Sequence, residues 1–129
     1  MPVSMDWDNA DHSIIRVTFQ GQWERDDIER MITKGVSMLE TVNHEVDSIF
    51  DFTQSTFSPR KLLASVDRME NTHNPNERLV IIVNANIYIR SVIKVARVLA
   101  PKTFAYIYFV DCLSSAYTLI EQFVQPTFV

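Results

Sequence analysis

One stretch of the sequence decides the fold: Leu79-Val80-Ile81-Ile82-Val83. Every side chain in this stretch is apolar, and no polar residue interrupts it. A strand of this composition is buried on both faces, as in the interior of a parallel sheet whose two sides are covered by helices. The stretch therefore predicts an α/β fold with this strand inside the sheet.

Strand-like and helix-like segments alternate on both sides of this stretch. Alternating apolar residues predict a hairpin of two strands, Val3–Asp8 and Ser13–Gln20. Two further strands are predicted at Val46–Thr53 and Phe104–Val110. The remaining segments carry apolar residues at helical spacing. The order β-β-α-β-α-β-α-β-α predicts a mixed, mostly parallel sheet with four helices, in a single domain over residues 1–129.

The predicted helices carry recognisable boundaries. Gly35 is expected to interrupt the first helix and to let it lie close to another element. Ser58 is expected to cap the second helix, with Pro59 at its first position, and Pro101 ends the third. The apolar residues of the last three helices are predicted to face the core: Leu62, Leu63, Val66 and Met69; Ile89, Val92, Ile93, Ala96, Leu99 and Ala100; Leu113, Ala116, Tyr117, Ile120, Phe123 and Val124.

The composition restricts the class of protein. The chain has 129 residues, of which 47% are apolar and 22% charged, as is ordinary for one globular domain. Its formal net charge of −4 argues against binding to nucleic acid or to an anionic membrane. The first residues lack the order of a signal peptide, and the apolar runs are far shorter than the roughly 20 residues of a membrane span. We therefore expect a soluble cytoplasmic protein with no nucleic-acid partner and no membrane insertion.

The sequence contains no recognisable catalytic or metal-binding pattern. His12, His44 and His73 fall in predicted turns or helix ends, without a cysteine or carboxylate at metal-ligand spacing, and are expected to be solvated. The single cysteine, Cys112, excludes an internal disulfide. It lies at the start of the last helix, where the helix dipole can lower a thiol pKa, but a half-buried structural cysteine is the favoured interpretation. We therefore expect neither an enzyme nor a protein that needs a metal or an organic cofactor.

The order of these elements resembles the STAS domains and the SpoIIAA-like, anti-sigma-factor antagonist-like proteins over nearly the whole chain. The hairpin ends in Gly21-Gln22-Trp23, where that family has a glycine and an apolar residue before its first helix. Ile49-Phe50-Asp51-Phe52-Thr53 matches an apolar strand that ends in an Asp-apolar-Ser/Thr step. Val80–Asn84 fits the following strand, and Ala105–Val110 with Leu113–Ala116 fits the closing strand and helix. The resemblance implies a non-enzymatic interaction or regulatory domain of the bacterial signalling type.

One diagnostic motif of that family is absent. The family opens its second helix with Asp-Ser-Ser-Gly, whereas this chain has Ser55-Thr56-Phe57-Ser58-Pro59. The resemblance therefore does not imply the family's serine-phosphorylation switch for this chain, because the motif that carries it is missing. A phosphate on Ser55 or Ser58 would still be favoured beside the free N–H groups at a helix N-terminus, although Ser58 is favoured simply as a cap.

Two further groups of residues are candidates for binding. Asp51 lies near the carboxyl end of a predicted strand, where ligands bind in open α/β sheets, although hydrogen bonds from neighbouring backbone N–H groups would also explain it. The third predicted helix has a basic stripe beside apolar residues that its core-facing stripe does not need. Such a surface fits an acidic partner or a second subunit, although a basic stripe alone is usually a solvated face. The basic residues are Arg90, Lys94 and Arg97, and the apolar ones are Tyr88, Val95 and Val98.

Two functions follow from these patterns. The first is a protein-interaction module that acts through the third helix and the loop before the second. The alternative is a small-ligand or lipid-binding domain, with a pocket at the carboxyl ends of the strands near Asp51, Asn84 and Asp111. The excess of apolar surface on the helix Tyr88–Val98 also predicts a homodimer, since symmetric dimers are the commonest oligomers.

Overall fold

The computed structural model describes residues 2–56 and 60–123, and in these ranges it contains a five-stranded mixed sheet and five helices. The general α/β prediction is therefore confirmed. The strands are β1 (Val3–Trp7), β2 (Ile14–Gly21), β3 (Val46–Ser55), β4 (Glu77–Val83) and β5 (Ile107–Val110). The helices are α1 (Arg25–Leu39), α2 (Arg60–Leu63), α3 (Val66–Asn71), α4 (Ile87–Leu99) and α5 (Leu113–Phe123).

The strands lie side by side in the order of the sequence, β1-β2-β3-β4-β5. β1 pairs antiparallel with β2, and the other three pairs of neighbours are parallel. The hairpin and the interior position of Leu79–Val83 are thus as predicted. Parallel neighbours need a crossover connection, and each of the three crossovers carries helix. β1 and β5 are the two edges of the sheet.

Helices cover the two faces of the sheet unequally. We call the face under α1 to α4 the front and the face under α5 the back. β4 shows why an all-apolar strand is needed, since Val80 and Ile82 join the large front core while Leu79, Ile81 and Val83 join a smaller cluster behind the sheet. In that back cluster α5 contributes only Ala116 and Ile120 as fully buried residues.

The second helical segment differs from the prediction, because it forms two short helices rather than one. The Ser65 N–H donates to the Leu62 carbonyl, 3.1 Å away and only three residues earlier, which ends α2 in a tight turn before α3 begins. Leu62 and Val66 are nevertheless both buried, as predicted. The predicted cap Ser58, with Pro59, lies outside the described residues, and so does Val124 at the end of the last helix.

Three other predictions need correction: the start of the last strand, the break in the first helix and the burial of Leu99. The last strand is shorter than the predicted Phe104–Val110. Phe104 lies in a turn, where its N–H donates to the Ala100 carbonyl, and its side chain packs into the front core. α1 runs through Gly35 without interruption. Leu99 is 51% exposed rather than buried, because the core side of α4 is occupied by Ile89, Ile93 and Ala96.

Candidate functional site

The carboxyl edge of the parallel strands holds two of the predicted site residues, and both are engaged within the chain. Asp51 Oδ1 accepts hydrogen bonds from the Thr53 N–H at 2.9 Å and the Thr53 hydroxyl at 2.6 Å. The Ser55 hydroxyl, at the end of β3, accepts a hydrogen bond from Trp23 Nε1 at 3.1 Å. Asp51 therefore matches the interpretation in which nearby donors satisfy the carboxylate, and Ser55 secures the buried Trp23.

The proposed anion site before the second helix finds little support in the described residues. Ser58, its second hydroxyl, lies outside them. The helix that follows, α2, is only four residues long, so few peptide dipoles align behind its N-terminus. Its basic residue Lys61 reaches back to the Glu24 carboxylate, at the N-terminus of α1. Phosphate binding by Ser55 or Ser58 stays a prediction.

Cys112 is exposed rather than half-buried, because it precedes α5 and nothing in the described chain packs over it. Its Sγ lies 3.2 Å from the Ser114 hydroxyl and 3.3 Å from the Ser115 hydroxyl. Hydrogen bonds from Ser114, and then from Ser115, stabilise the thiolate and lower the pKa of this thiol to about 7. A substantial fraction of Cys112 is therefore ionised at neutral pH. No histidine or carboxylate contacts the sulfur among the described residues, so a general base for catalysis is not seen there.

The exposed side of α4 carries the largest group of solvent-exposed apolar residues in the described chain. Five of its side chains are between 49% and 79% exposed. Tyr88, Val95 and Leu99 recur at helical spacing along one side of α4, with Ile87 and Val98 beside them on the outermost side. We call these five residues the α4 patch: Ile87, Tyr88, Val95, Val98 and Leu99.

The basic residues of α4 do not form one uniform stripe. Arg90 turns toward the edge strand β5, where its guanidinium carbon lies 5.1 Å from the centre of the Phe109 ring and its Nη2 lies 4.0 Å from Asp111 Oδ1. Arg90 Nε also donates to the Ala85 carbonyl at 3.1 Å. Lys94 and Arg97 are exposed, and neither forms an ion pair with another described residue. Two cations, rather than three, therefore remain available beside the α4 patch.

A polar cluster that the sequence did not indicate lies at the amino end of β4. The Glu77 carboxylate accepts a hydrogen bond from the Asn74 N–H at 2.7 Å, and its Oε2 lies 3.1 Å from His73 Nδ1 without hydrogen-bond geometry. Burial raises the pKa of Glu77, an effect that the Asn74 N–H and His73 oppose. The prediction of a solvated His73 is wrong, because its turn folds it against Glu77 and leaves only 17% of the side chain exposed.

A cavity of about 70 Å³ lies in front of the sheet, between α1, α3 and strands β1 to β4. We call it the front cavity. Its wall includes Gly35, in the middle of α1, where a glycine is about 0.5–1 kcal/mol less favourable than alanine. A Cβ at this position would lie 3.4 Å from Met5 Cε, which is ordinary contact, so packing alone does not require a glycine.

A groove of about 280 Å³ runs along the edge strand β1, between that strand and α1. We call it the edge groove. The Lys34 ammonium, on α1 in front of the sheet, lies 3.3 Å from the Asp6 carboxylate. Asp6 follows Met5 in β1, and because Met5 faces the front core, the Asp6 side chain points to the back. This ion pair crosses the open edge of β1. Met5 and Met31 line both the edge groove and the front cavity.

None of Asp51, Asn84 and Asp111 lines the front cavity or the edge groove. The cavity extends instead toward the amino ends of the strands, where Ser48 and Glu77 line it. A ligand pocket at the carboxyl ends therefore stays a prediction. Within residues 2–56 and 60–123, no group of three or more His, Cys, Asp and Glu side chains is arranged to hold a metal ion.

Comparisons with known proteins add no assignment. No family model matches the sequence, and no curated protein matches it. No helix in the described part of the chain is both long and apolar enough to cross a membrane.

Proposed function

We propose that this chain is a non-enzymatic protein-interaction domain of the STAS-like, regulatory type, and that α4 is its contact surface. The observation that carries the proposal is the α4 patch, whose five large apolar side chains remain exposed while Ile89, Ile93 and Ala96 fill the core side of the helix. Contiguous exposed apolar surface on a globular domain marks interaction sites. The order of the elements and the match at Ile49–Thr53 support the STAS-like type.

The size of the α4 patch suggests that it is part of a larger interface. Burial of a Val, Leu or Ile side chain corresponds to about 60–120 Å² of apolar area, so the exposed parts of the five side chains amount to roughly 200–400 Å². A stable interface covers about 800 Å² on each partner. The contact therefore extends to neighbouring surface. The exposed candidates nearest in sequence are Lys94 and Arg97 on the same helix and Tyr106 before β5.

The charges beside the α4 patch favour an acidic partner. Lys94 and Arg97 lack carboxylate partners within the described chain, and a partner with acidic residues around an apolar centre would supply them. A symmetric contact between two α4 helices would instead bring like charges near each other. Self-association through this face therefore requires that the apolar contacts outweigh that repulsion.

The test is affinity purification from the native host with the wild-type chain and with a Tyr88→Glu, Val95→Asp double variant as bait. We expect a protein that is retained by the wild type, lost with the double variant and released by salt. Thr118→Glu, an exposed change on α5 behind the sheet, is the matched control and should retain the partner. Equal retention by the wild type and the double variant would contradict the proposed surface.

The predicted homodimer is tested separately by light scattering on the purified chain. A dimer at micromolar concentration that becomes a monomer in the double variant, but not in Thr118→Glu, would identify the second copy as a partner of the same face. A monomer over the accessible concentration range would refute the dimer and leave the acidic partner.

A further inference from the structure

The front cavity has an adaptable apolar wall. Three of the five methionines in the chain line it, namely Met5, Met31 and Met69. Methionine is unbranched and polarizable, so it adjusts to different occupants at little cost. Most of the other lining residues are apolar as well, and they include Ile15, Ile32, Val36, Leu39 and Phe50.

The other end of the front cavity is polar and acidic. Ser48, Thr72, Glu77 and Thr103 line it there. The Thr72 hydroxyl already donates to the Arg68 carbonyl at 2.7 Å, and the Thr103 hydroxyl donates to Glu70 at 3.3 Å. The Ser48 hydroxyl and the Glu77 carboxylate are left as acceptors, and of the two only Glu77 can carry a negative charge, with one oxygen bonded to the Asn74 N–H.

The edge groove offers a way into the front cavity. Only the side chains of Met5 and Met31 are shared by the two, so rotation of these flexible side chains would connect them. The front cavity alone is smaller than the roughly 300–1,000 Å³ of ordinary small-molecule sites. Connected to a groove of about 280 Å³, it reaches the lower end of that range.

We propose that the front cavity binds a small aliphatic molecule with a hydrogen-bond-donating head, an amine in preference to an alcohol. The aliphatic body lies among Met5, Met31 and Met69, and the head donates to the Glu77 carboxylate. His73 and Glu70 both act on the charge of Glu77, in opposite senses, so the preference against a carboxylate ligand rests on the Glu77 carboxylate itself. Gly35 provides room that a methyl group would remove. This proposal is independent of the contact surface on α4.

The binding test uses the full chain labelled with ¹³C at the methionine methyl groups and titrated with n-butylamine, n-butanol and n-butanoate. We expect shifts of the Met5, Met31 and Met69 signals, with the amine binding more tightly than the alcohol and butanoate binding weakest. Met38 is buried in α1 but does not line the front cavity, so its signal is the internal control. The absence of shifts, equal shifts at Met38, or binding of butanoate as tight as that of the amine would each overturn the proposal.

Two variants test the geometry. Gly35→Ala places a methyl group in the wall of the front cavity. It should weaken the binding of butylamine by about fourfold, the change in affinity that corresponds to the loss of one buried methylene contact. The same change favours the helix and should raise Tm, so weaker binding cannot be attributed to unfolding. Ser37→Ala, on the exposed side of α1, is the control for an added helix former. Glu77→Gln should abolish the preference for the amine over the alcohol. Unchanged affinity in Gly35→Ala, or an unchanged preference in Glu77→Gln, would contradict the proposal.

Discussion

Asp47 is a buried carboxylate that joins two neighbouring strands. It lies in β3 and is only 4% exposed. Its two oxygens accept hydrogen bonds from Arg78 Nε at 2.8 Å and Arg78 Nη2 at 2.6 Å, and Oδ1 also accepts from the Leu79 N–H at 3.1 Å. A two-pronged pair of this kind fixes the relative position of both groups. It therefore holds the beginning of β4 against β3.

Loss of this carboxylate should be strongly destabilising. Asp47→Ala leaves the Arg78 guanidinium, itself 18% exposed, without its counter-charge, and we expect the free energy of unfolding to fall by about 3–5 kcal/mol. Urea denaturation measures the change. Asp11→Ala, at an exposed position in the turn between β1 and β2, is the matched control and should change little. Equal effects of the two substitutions would mean that the ion pair contributes nothing specific.

Cys112 should react at neutral pH in a way that depends on its two serine neighbours. With a thiol pKa of about 7, its alkylation by iodoacetamide should follow a titration centred near that pH. Ser114→Ala should move the midpoint to higher pH, and Ser115→Ala should do so to a smaller extent. The rate at pH 7 would fall accordingly in both variants. A midpoint that ignores both substitutions would rule out stabilisation of the thiolate by these hydroxyls.

Sequence periodicity was enough to predict the exposure of particular side chains, but not their partners. Once Ile89, Ile93 and Ala96 are assigned to the core, Tyr88 and Val95 must face outward, and the structure exposes both. The orientation of Arg90 depends on Phe109 and Asp111, which the fold brings to it. The front cavity arises in the same way, from contacts between separate elements that no local spacing encodes. His73 and Glu77 are only four residues apart, but the turn between them, rather than a helical or strand period, brings them together.

The strands and helices were predictable in kind and order, because their apolar residues repeat with clear periods. Their ends were less predictable, since tertiary contacts decide them. Phe104 continues an apolar run in sequence, yet it leaves the strand to fill the front core. The tight turn at Ser65 divides one helical period into α2 and α3, and both parts still bury an apolar residue at the expected spacing.

The start of α4 depends on one side chain. The Asn86 side-chain oxygen accepts a hydrogen bond from the Ile89 N–H at 2.9 Å and thereby caps the helix. Asn86→Ala should lower the free energy of unfolding by about 1 kcal/mol, measured by chemical denaturation. Ser91→Ala, an exposed change later in the same helix, should have a smaller effect. Equal stability of Asn86→Ala and Ser91→Ala would show that the Asn86 cap contributes nothing to the stability of the helix.

The domain as a unit is built from two cores of unequal size, and pH acts on the larger one through Glu77. Glu77 is the half-buried carboxylate whose pKa is raised from its ordinary value of 4.5, chiefly by burial, with His73 and Glu70 as its charged neighbours. Between 4.5 and the raised pKa, the folded chain retains a proton that the unfolded chain has released. The contribution of this group to stability therefore falls as pH rises through that interval.

Glu77→Gln should remove this pH dependence. We expect the stability of the variant, relative to the wild type, to increase as pH rises above about 4.5, because the glutamine has no charge to bury. Urea midpoints at a series of pH values between 4 and 8 measure the difference, with Glu45→Gln as an exposed control. A constant difference between variant and wild type over this range would show that the folded-state pKa of Glu77 is not raised.

The ion pair across the rim of β1 has a consequence for fibre growth. Val3 and Met5 direct their free backbone groups outward there, but the Lys34 side chain stretches over that rim to Asp6. At the opposite edge of the sheet, Arg90 lies over the Phe109 ring and pairs with Asp111 beyond the end of β5, so among the described residues no ion pair crosses the outward backbone groups of Ile107. In a pair of copies joined through β5, the outer edge of each copy would be β1, over which the Lys34–Asp6 ion pair lies. Stacking beyond a pair would then be disfavoured, and concentrated salt, which screens the Lys34–Asp6 attraction, would weaken that protection.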